Sequence, residues 1–503
     1  MATNIRFKRT LTLLTVAVFG AAAPVMADDD KDFGSLVEHL LTAQSEKLFG
    51  VEKPLKESAP LTAGAYRTPS QSAYDQVLVA HGLKVEYLTR NAANNTDMMV
   101  FWPNDAQPTH LVTCIEEFRN PGPVGSYPSG QVKLFPSVQR IDVKTGAVET
   151  VLRGMSACDG IRRTPWQTIL VTEERSDGGA YEILNPLAAT ELTLTARGAG
   201  NIINSSGSPV TGQVAYRGAL PTMAWEGIAV LPSGVVIAGD ELRPGTAASD
   251  ADGGAIFKFV PTQPRYTSGA IGDLNESPLA WGTVYAMQVS CRGDRQQYGQ
   301  GCEIGNAAWV PVNAASARAD ANRLGATGYY RPEDLELDPM HTDPANPEAV
   351  RFCWTNTGNE GAKNYAEVVC GVDAAPLTAS STQRTLVVNR FVEGDTDFNS
   401  FDNLAFQPRT GNLYVIEDHN NGDVFACLPD GADRDIKSDG CVKILSVKDS
   451  SAEPTGFLFS ADGTTAYVSI QHSNDTNMPL VDGYPTDDVL KITGFKVKGG
   501  WWK

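Results

Sequence analysis

The sequence predicts an all-β protein, a six-bladed β-propeller with an N-terminal helical extension. One observation carries most of this. An acidic residue, a short apolar run, a turn, a second apolar run and a polar or acidic end recur six times along the chain. Self-similarity built from short strands and turns marks a propeller in which each copy is a blade. The composition agrees. The 47 glycines and 30 prolines supply many tight turns, and no long amphipathic helical stretch argues for an α/β enzyme.

In five copies a proline follows the acid at the sixth position: Asp97 with Pro103, Asp159 with Pro165, Glu226 with Pro232, Glu333 with Pro339 and Asp402 with Pro408. The sixth copy starts at Glu453 and has Ser460 one step later. The return runs end in Glu116-Glu117, Glu173-Glu174, Asp240-Glu241, Asn356, Glu417-Asp418 and Gln471-His472.

Taken in order, residues 1–27 read as a secretory signal. Arg6, Lys8 and Arg9 precede the apolar stretch Leu11 to Ala23, and Val25-Met26-Ala27 offers a small-residue cleavage site. That stretch is too short to span a bilayer. The expected location is therefore periplasmic or secreted, after cleavage near Ala27. Residues 28–90 form the extension, with a helix from Asp32 to Lys53 that packs Leu36, Leu40, Leu41 and Phe49 outside the propeller. Residues 91–503 form the propeller. Blade one continues from its acid into Val138 to Asp142, blade two runs from Asp159 to about Arg197, and blade three carries an insertion at roughly 262–326. Blade four runs from Glu333 through Val368, blade five from Asp402 to about Val447, and blade six from Glu453 to the end. The runs Leu83 to Leu88 and Val489 to Phe495 are placed to share the closing blade, which would remove an exposed sheet edge.

Two antiparallel strands joined by a turn bring the start of the first and the end of the second to one edge. With each first strand near the axis, six acids and six polar strand ends converge on one channel mouth. So many carboxylates stay ionised together only if cations neutralise them, and oxygen donors favour calcium.

Charge and cysteines narrow the alternatives. Cleavage would remove three cations and no anion, taking the net charge from -18 to -21. A chain this acidic does not seek nucleic acid or anionic lipid by bulk electrostatics. All eight cysteines lie beyond the signal, as an oxidising compartment allows. Sequence order suggests Cys291 with Cys302, Cys353 with Cys370, Cys427 with Cys441 and Cys114 with Cys158, although eight cysteines permit 105 pairings. We expect a monomer without a membrane span.

Several stretches are similar to the PhoX-type alkaline phosphatase family: Thr164 to Glu174, Trp225-Glu226-Gly227, Gly254 to Val260, Arg331 to Glu336, Asp402 to Phe406, Glu453 to Gly456, and Ile470-Gln471-His472. The resemblance implies an exported six-bladed propeller that binds calcium and iron and hydrolyses phosphate monoesters. It implies Glu173, Glu226, Glu333 and Asp402 as metal ligands, with Glu174, Asp240, Glu241, Glu417, Asp418 and Glu453 as further candidates. Arg331 and Arg175, beside the acidic rim, are candidates for clamping the phosphate of a small phosphate ester.

The chain departs from the family pattern in three places. Thr172 stands where the family has an iron-bridging cysteine, Trp225 where it commonly has histidine, and the signal lacks twin arginines. A hydroxyl is a poor substitute for a thiolate toward ferric iron, so calcium is the expected cofactor and iron stays open. Two other readings are a noncatalytic calcium-binding propeller for a partner or small ligand, and a lactonase-like hydrolase with one axial calcium. No Ser-His-Asp arrangement, zinc-type cysteine pair or phosphate-binding glycine loop is present.

Overall fold

The computed structural model describes residues 33–119, 124–245, 252–289, 303–429 and 440–497. The signal reading, Asp32 and the Cys291–Cys302 pairing fall outside them.

The fold is mostly β and propeller-type. The first strand of each repeat is short and buried: β1 Thr96–Trp102, β2 Cys158–Arg163, β3 Trp225–Val230, β4 Pro332–Leu337, β5 Phe401–Phe406 and β6 Glu453–Phe459. Each packs against the next, and β6 packs back on β1, so these strands close a ring. Their partners extend them into ladders that are antiparallel except where Leu192–Leu194 runs parallel to Val148–Arg153. Strands covered on both faces lack polar alternation, which is why runs such as Leu413–Glu417 and Ile169–Glu173 are buried throughout. The main core clusters mix residues of neighbouring sheets; Ile416 and Val424 from one meet Val468 and Leu490 from the next.

The sheets are not separate units. The insertion at 262–326 contributes the strands Gly282–Val289 and Gly305–Val312, and the second pairs with Leu386–Glu393. The ladders starting at β3 and β4 thereby merge into one ten-stranded sheet.

A bulge at the start of the inner strands aims the acids. Thr96 lies opposite Ile115, yet the next paired residue is Met99, opposite Thr113. Asp97 and Met98 thus share one partner position. The same skip occurs at Asp159-Gly160, Glu226-Gly227, Glu333-Asp334 and Asp402-Asn403. An extra residue bends a strand and redirects its side chain. In β6 the skip falls between Thr455 and Leu458, while Glu453 pairs regularly with Gln471. The sixth acid therefore is not equivalent to the other five.

Both ends of the chain meet in one sheet. Lys84–Ala93 pairs antiparallel with Thr486–Thr493, Val85 opposite Ile492. The N-terminal helix is shorter than expected, Phe33–Ala43 followed by Ser45–Leu48. Leu41 and Phe49 are buried, but Leu36 and Leu40 face solvent. Further along, Arg67 is fully buried and its guanidinium lies 2.5 Å from Asp488 in the closing sheet, with Arg90 2.9 Å away on the same carboxylate. Breaking a buried pair leaves uncompensated charge. Arg67→Ala is expected to cost about 3 kcal/mol, seen as a lower urea midpoint, because Arg90 covers only part of the loss.

Among the described residues three disulfides staple the sheets. Cys114–Cys158 joins the second strand of the first repeat to β2, while Cys353–Cys370 and Cys427–Cys441 link directly paired neighbours. No free cysteine remains among the described residues.

Candidate metal centre

Four of the five bulged acids, Asp159, Glu226, Glu333 and Asp402, meet at one end of the ring. Asp159, Glu174 and Glu226 bring carboxylate oxygens within 4.8 Å of one another, and so do Glu226, Glu333 and Asp402. Glu226 belongs to both groups. Asp159 and Glu226 are buried, and Oδ1 of Asp159 has no hydrogen-bond partner among the described residues. A desolvated carboxylate oxygen without a donor is costly unless something positive meets it.

Electrostatics points the same way. Burial, then the charges of Asp97, Glu174, Glu116 and Asp402, pushes the Asp159 carboxyl well above its usual range. Burial and then Asp159 and Glu333 do the same to Glu226. Asp402 is raised by burial and by Asp97 and Glu333. Glu116 is pushed up to about 8 by burial and Asp97. Hard divalent cations fit this donor set, since every gathered group offers carboxylate oxygen.

The paired acids at the strand ends split by alternation, because successive strand residues point to opposite sides. Glu173, Asp240 and Glu417, expected as ligands, lie outside both carboxylate groups and are held in place by other partners. Arg197 grips Glu173 at 2.8 and 3.1 Å, and the Ser156 and Gly179 amides donate to the same carboxylate. Arg318 grips Asp240 at 2.7 and 2.6 Å. Glu417 accepts the Asn399 and Asp423 amides, each at 3.0 Å. These residues anchor strand ends through backbone donors that would otherwise be unsatisfied.

The next residue in each pair faces the mouth. Glu174 joins the first carboxylate group directly. Glu241 and Asp418 reach it through Arg331, whose guanidinium contacts Glu241 at 2.5 Å, Glu333 at 3.0 Å and Asp418 at 3.1 Å. Burial works against that charge, but the three carboxylates keep it protonated. Arg331 sits in the left-handed region at φ 58°, so its side chain is aimed by strained backbone.

Asp97 and Glu453 stand apart from the two groups. Asp97 accepts Thr455 at 2.5 Å and Gln471 at 2.9 Å, and Glu453 pairs with His472 at 3.0 Å. The displaced bulge of β6 accounts for Glu453.

Sequence reasoning did not single out Glu116 or Thr357 as site residues. The signal was present: the residue after each second strand is Glu116, Glu174, Glu241, Thr357, Asp418 or His472, one offset in all six repeats. Thr357 donates its hydroxyl to Glu333. Thr172 is buried and donates to the Gly160 carbonyl at 3.0 Å, and Trp225 is buried in the core.

Above the carboxylates lies an open cleft lined by Phe118, Glu174, Arg175, Asp177, Glu241, Arg243, Arg318 and Arg331. Arg175 stacks over the Phe118 ring at 5.5 Å and lies 3.4 Å from Asp177. This cationic rim is local to a chain that is strongly anionic overall.

The ring of inner strands and its acidic mouth define a propeller-type protein with a candidate metal centre at one end. The Alkaline phosphatase PhoX family model matches residues 235–474. Pseudomonas fluorescens PhoX, solved in complex with vanadate, a transition state analogue, is similar in structure, with TM-score 0.53 and 15% identity over 87% of this chain and 98% of that one. Over residues 235–474 the chain is thus similar in sequence to the PhoX-type alkaline phosphatases, and it shares their propeller-type fold. A putative gluconolactonase has TM-score 0.38 and 10% identity over 83% of this chain and 93% of its own. The PQQ-bound aldose sugar dehydrogenase of Streptomyces coelicolor has 0.36 and 12% over 82% and 100%. No curated protein sequence matches the chain.

The division of labour within the paired acids is testable. Glu173→Gln is expected to destabilise the fold by about 3 kcal/mol through the lost partner of Arg197, while calcium affinity changes little. Glu174→Gln is expected to weaken calcium binding about tenfold or more, since affinity follows the number of charged ligands. Calorimetric calcium titration beside denaturant melts separates the two.

Proposed function

We propose that this protein is an exported, calcium-dependent phosphohydrolase acting on phosphate monoesters at the mouth of a six-bladed propeller. On this reading residues 1–27 are removed, 28–90 brace the closing blade, 91–503 form a monomeric propeller, and the product is periplasmic or secreted. The observation that carries the proposal is the pair of carboxylate groups sharing Glu226 beneath a cleft rimmed by arginines. The match of residues 235–474 to the alkaline phosphatase PhoX family model supports it, as does the vanadate complex of the Pseudomonas protein, since vanadate is a transition state analogue there.

Asp159, Glu174 and Glu226 would hold one cation, and Glu226, Glu333 and Asp402 a second. Bound calcium would supply Lewis acidity toward a phosphoryl oxygen and its attacking water. The chain supplies the rest. Arg331 offsets charge between Glu241, Glu333 and Asp418, and Arg175 lines the cleft next to Glu174 as an anion contact. Burial keeps competing water from the carboxylates and strengthens every charge interaction among them.

A thiolate-bridged iron pair does not fit these residues. Thr172 is neutral and committed to the Gly160 carbonyl, and Cys114 and Cys158 are joined to each other. Purified protein is expected to contain calcium and little iron, and to hydrolyse phosphate monoesters weakly, with activity lost on chelation and restored by calcium or manganese. Thr172→Cys is expected to raise iron content. Strong iron-dependent turnover by the unaltered protein would refute the assignment, and no turnover with calcium bound would favour the noncatalytic calcium-binding propeller.

A further inference from the structure

The rim of the cleft contains one group that phosphate chemistry does not require. Phe118 is 53% exposed although it stands at a charged mouth. It borders the cleft holding Glu174 and Arg331, and also an adjoining cleft formed with Arg119, Thr195 and Arg197. Two arginines share these clefts with it. Arg175 lies over its ring at 5.5 Å, and the neighbouring Arg119 donates to the Leu194 and Thr195 carbonyls at 3.2 and 2.8 Å. Among the described residues Arg119 makes no ion pair with a carboxylate, whereas the charge of Arg197 is matched by Glu173 and Asp177. An exposed phenyl with cations in the same cleft gains when a flat, electron-rich group covers it, because the ring offers stacking area and the guanidinium groups offer cation–π contact.

Resting on the phosphohydrolase reading, we propose that Phe118, with Arg175 and Arg119 beside it, forms the leaving-group subsite and selects esters whose leaving group is aromatic. The phosphoryl group is held at the Glu174 and Arg331 end of the cleft, and the ring of the leaving group lies on Phe118. In the reaction the water oxygen forms a new bond to phosphorus, the ester P–O bond breaks, and the water proton ends on the departing oxygen. Aryl phosphates and nucleoside monophosphates share the required chemistry. An aliphatic ester has nothing to stack.

The test compares kcat and KM of the calcium-loaded protein and of Phe118→Ala and Phe118→Trp on 4-nitrophenyl phosphate, adenosine 5′-monophosphate and glycerol 3-phosphate. Base–aromatic stacking supports an expected loss of about tenfold in preference for aromatic over glycerol ester in Phe118→Ala, carried by KM. Phe118→Trp is expected to restore it. A loss with only one aromatic ester supports the proposal and names that source as the leaving group. An equal change on all three esters overturns it. If no ester is hydrolysed, the phosphatase reading fails by itself. Calorimetric binding of adenosine 5′-monophosphate to wild type and Phe118→Ala then decides the subsite, equal affinity counting against it.

Discussion

Glu226→Gln is expected to lower calcium affinity at least a hundredfold and to remove measurable phosphatase activity, the largest effect of any single substitution here. Glutamine keeps the shape and one oxygen but removes the charge shared by both carboxylate groups. Affinity for a hard cation follows the number of charged ligands, so each group drops from three anionic donors to two. The metal-free protein should respond with the opposite sign. Burial and the charges of Asp159 and Glu333 disfavour the ionised Glu226, and a neutral amide relieves that repulsion. Thermal melts in chelator are expected to show the variant as stable as wild type or more so, while calorimetry shows calcium binding lost. Unchanged calcium affinity would remove Glu226 from the centre; a destabilised chelated variant would mean that it serves packing instead.

The gathering of carboxylates from different repeats was legible in the sequence. The six-residue distance from acid to proline reflects an inner strand with one bulge at its start, and the bulge is what aims Asp159, Glu226, Glu333 and Asp402 at the mouth. The paired acids were harder. Alternation along a strand makes one member of each pair face the mouth, but only the ladder register says which. Glu173 and Glu174 are chemically alike, and only the grip of Arg197, from a loop 24 residues away, shows that Glu173 is an anchor. Glu453 differs because its position was read from sequence spacing, whereas the skipped pair in β6 starts three residues later, at Gly456. Arg331 was found by its neighbourhood, but its three-way contact with Glu241, Glu333 and Asp418 joins strands that no local pattern relates.

Removing the cation should leave a second signature, in the pH dependence of stability. Without it the mouth retains carboxyls that burial and mutual repulsion push upward, Glu116 to about 8 with Asp159, Glu174 and Glu226 raised by the same causes. In the unfolded chain the glutamates titrate near their ordinary 4.5 and Asp159 near 3.8. Between those limits the folded protein binds more protons than the unfolded one, so the stability of the chelated protein must fall as pH rises from about 4.5 to about 8. Bound calcium favours the ionised forms and should flatten that slope. At neutral pH, calcium in thousandfold excess over its dissociation constant stabilises by about 4 kcal/mol. For a chain of this length that is a shift in Tm of about 4 °C per cation. Melting curves from pH 5 to pH 8, with calcium and with chelator, are expected to converge toward the acid end and diverge toward the alkaline end. Parallel curves across the range would show that the carboxylates at the mouth neither hold the cation nor repel one another in its absence.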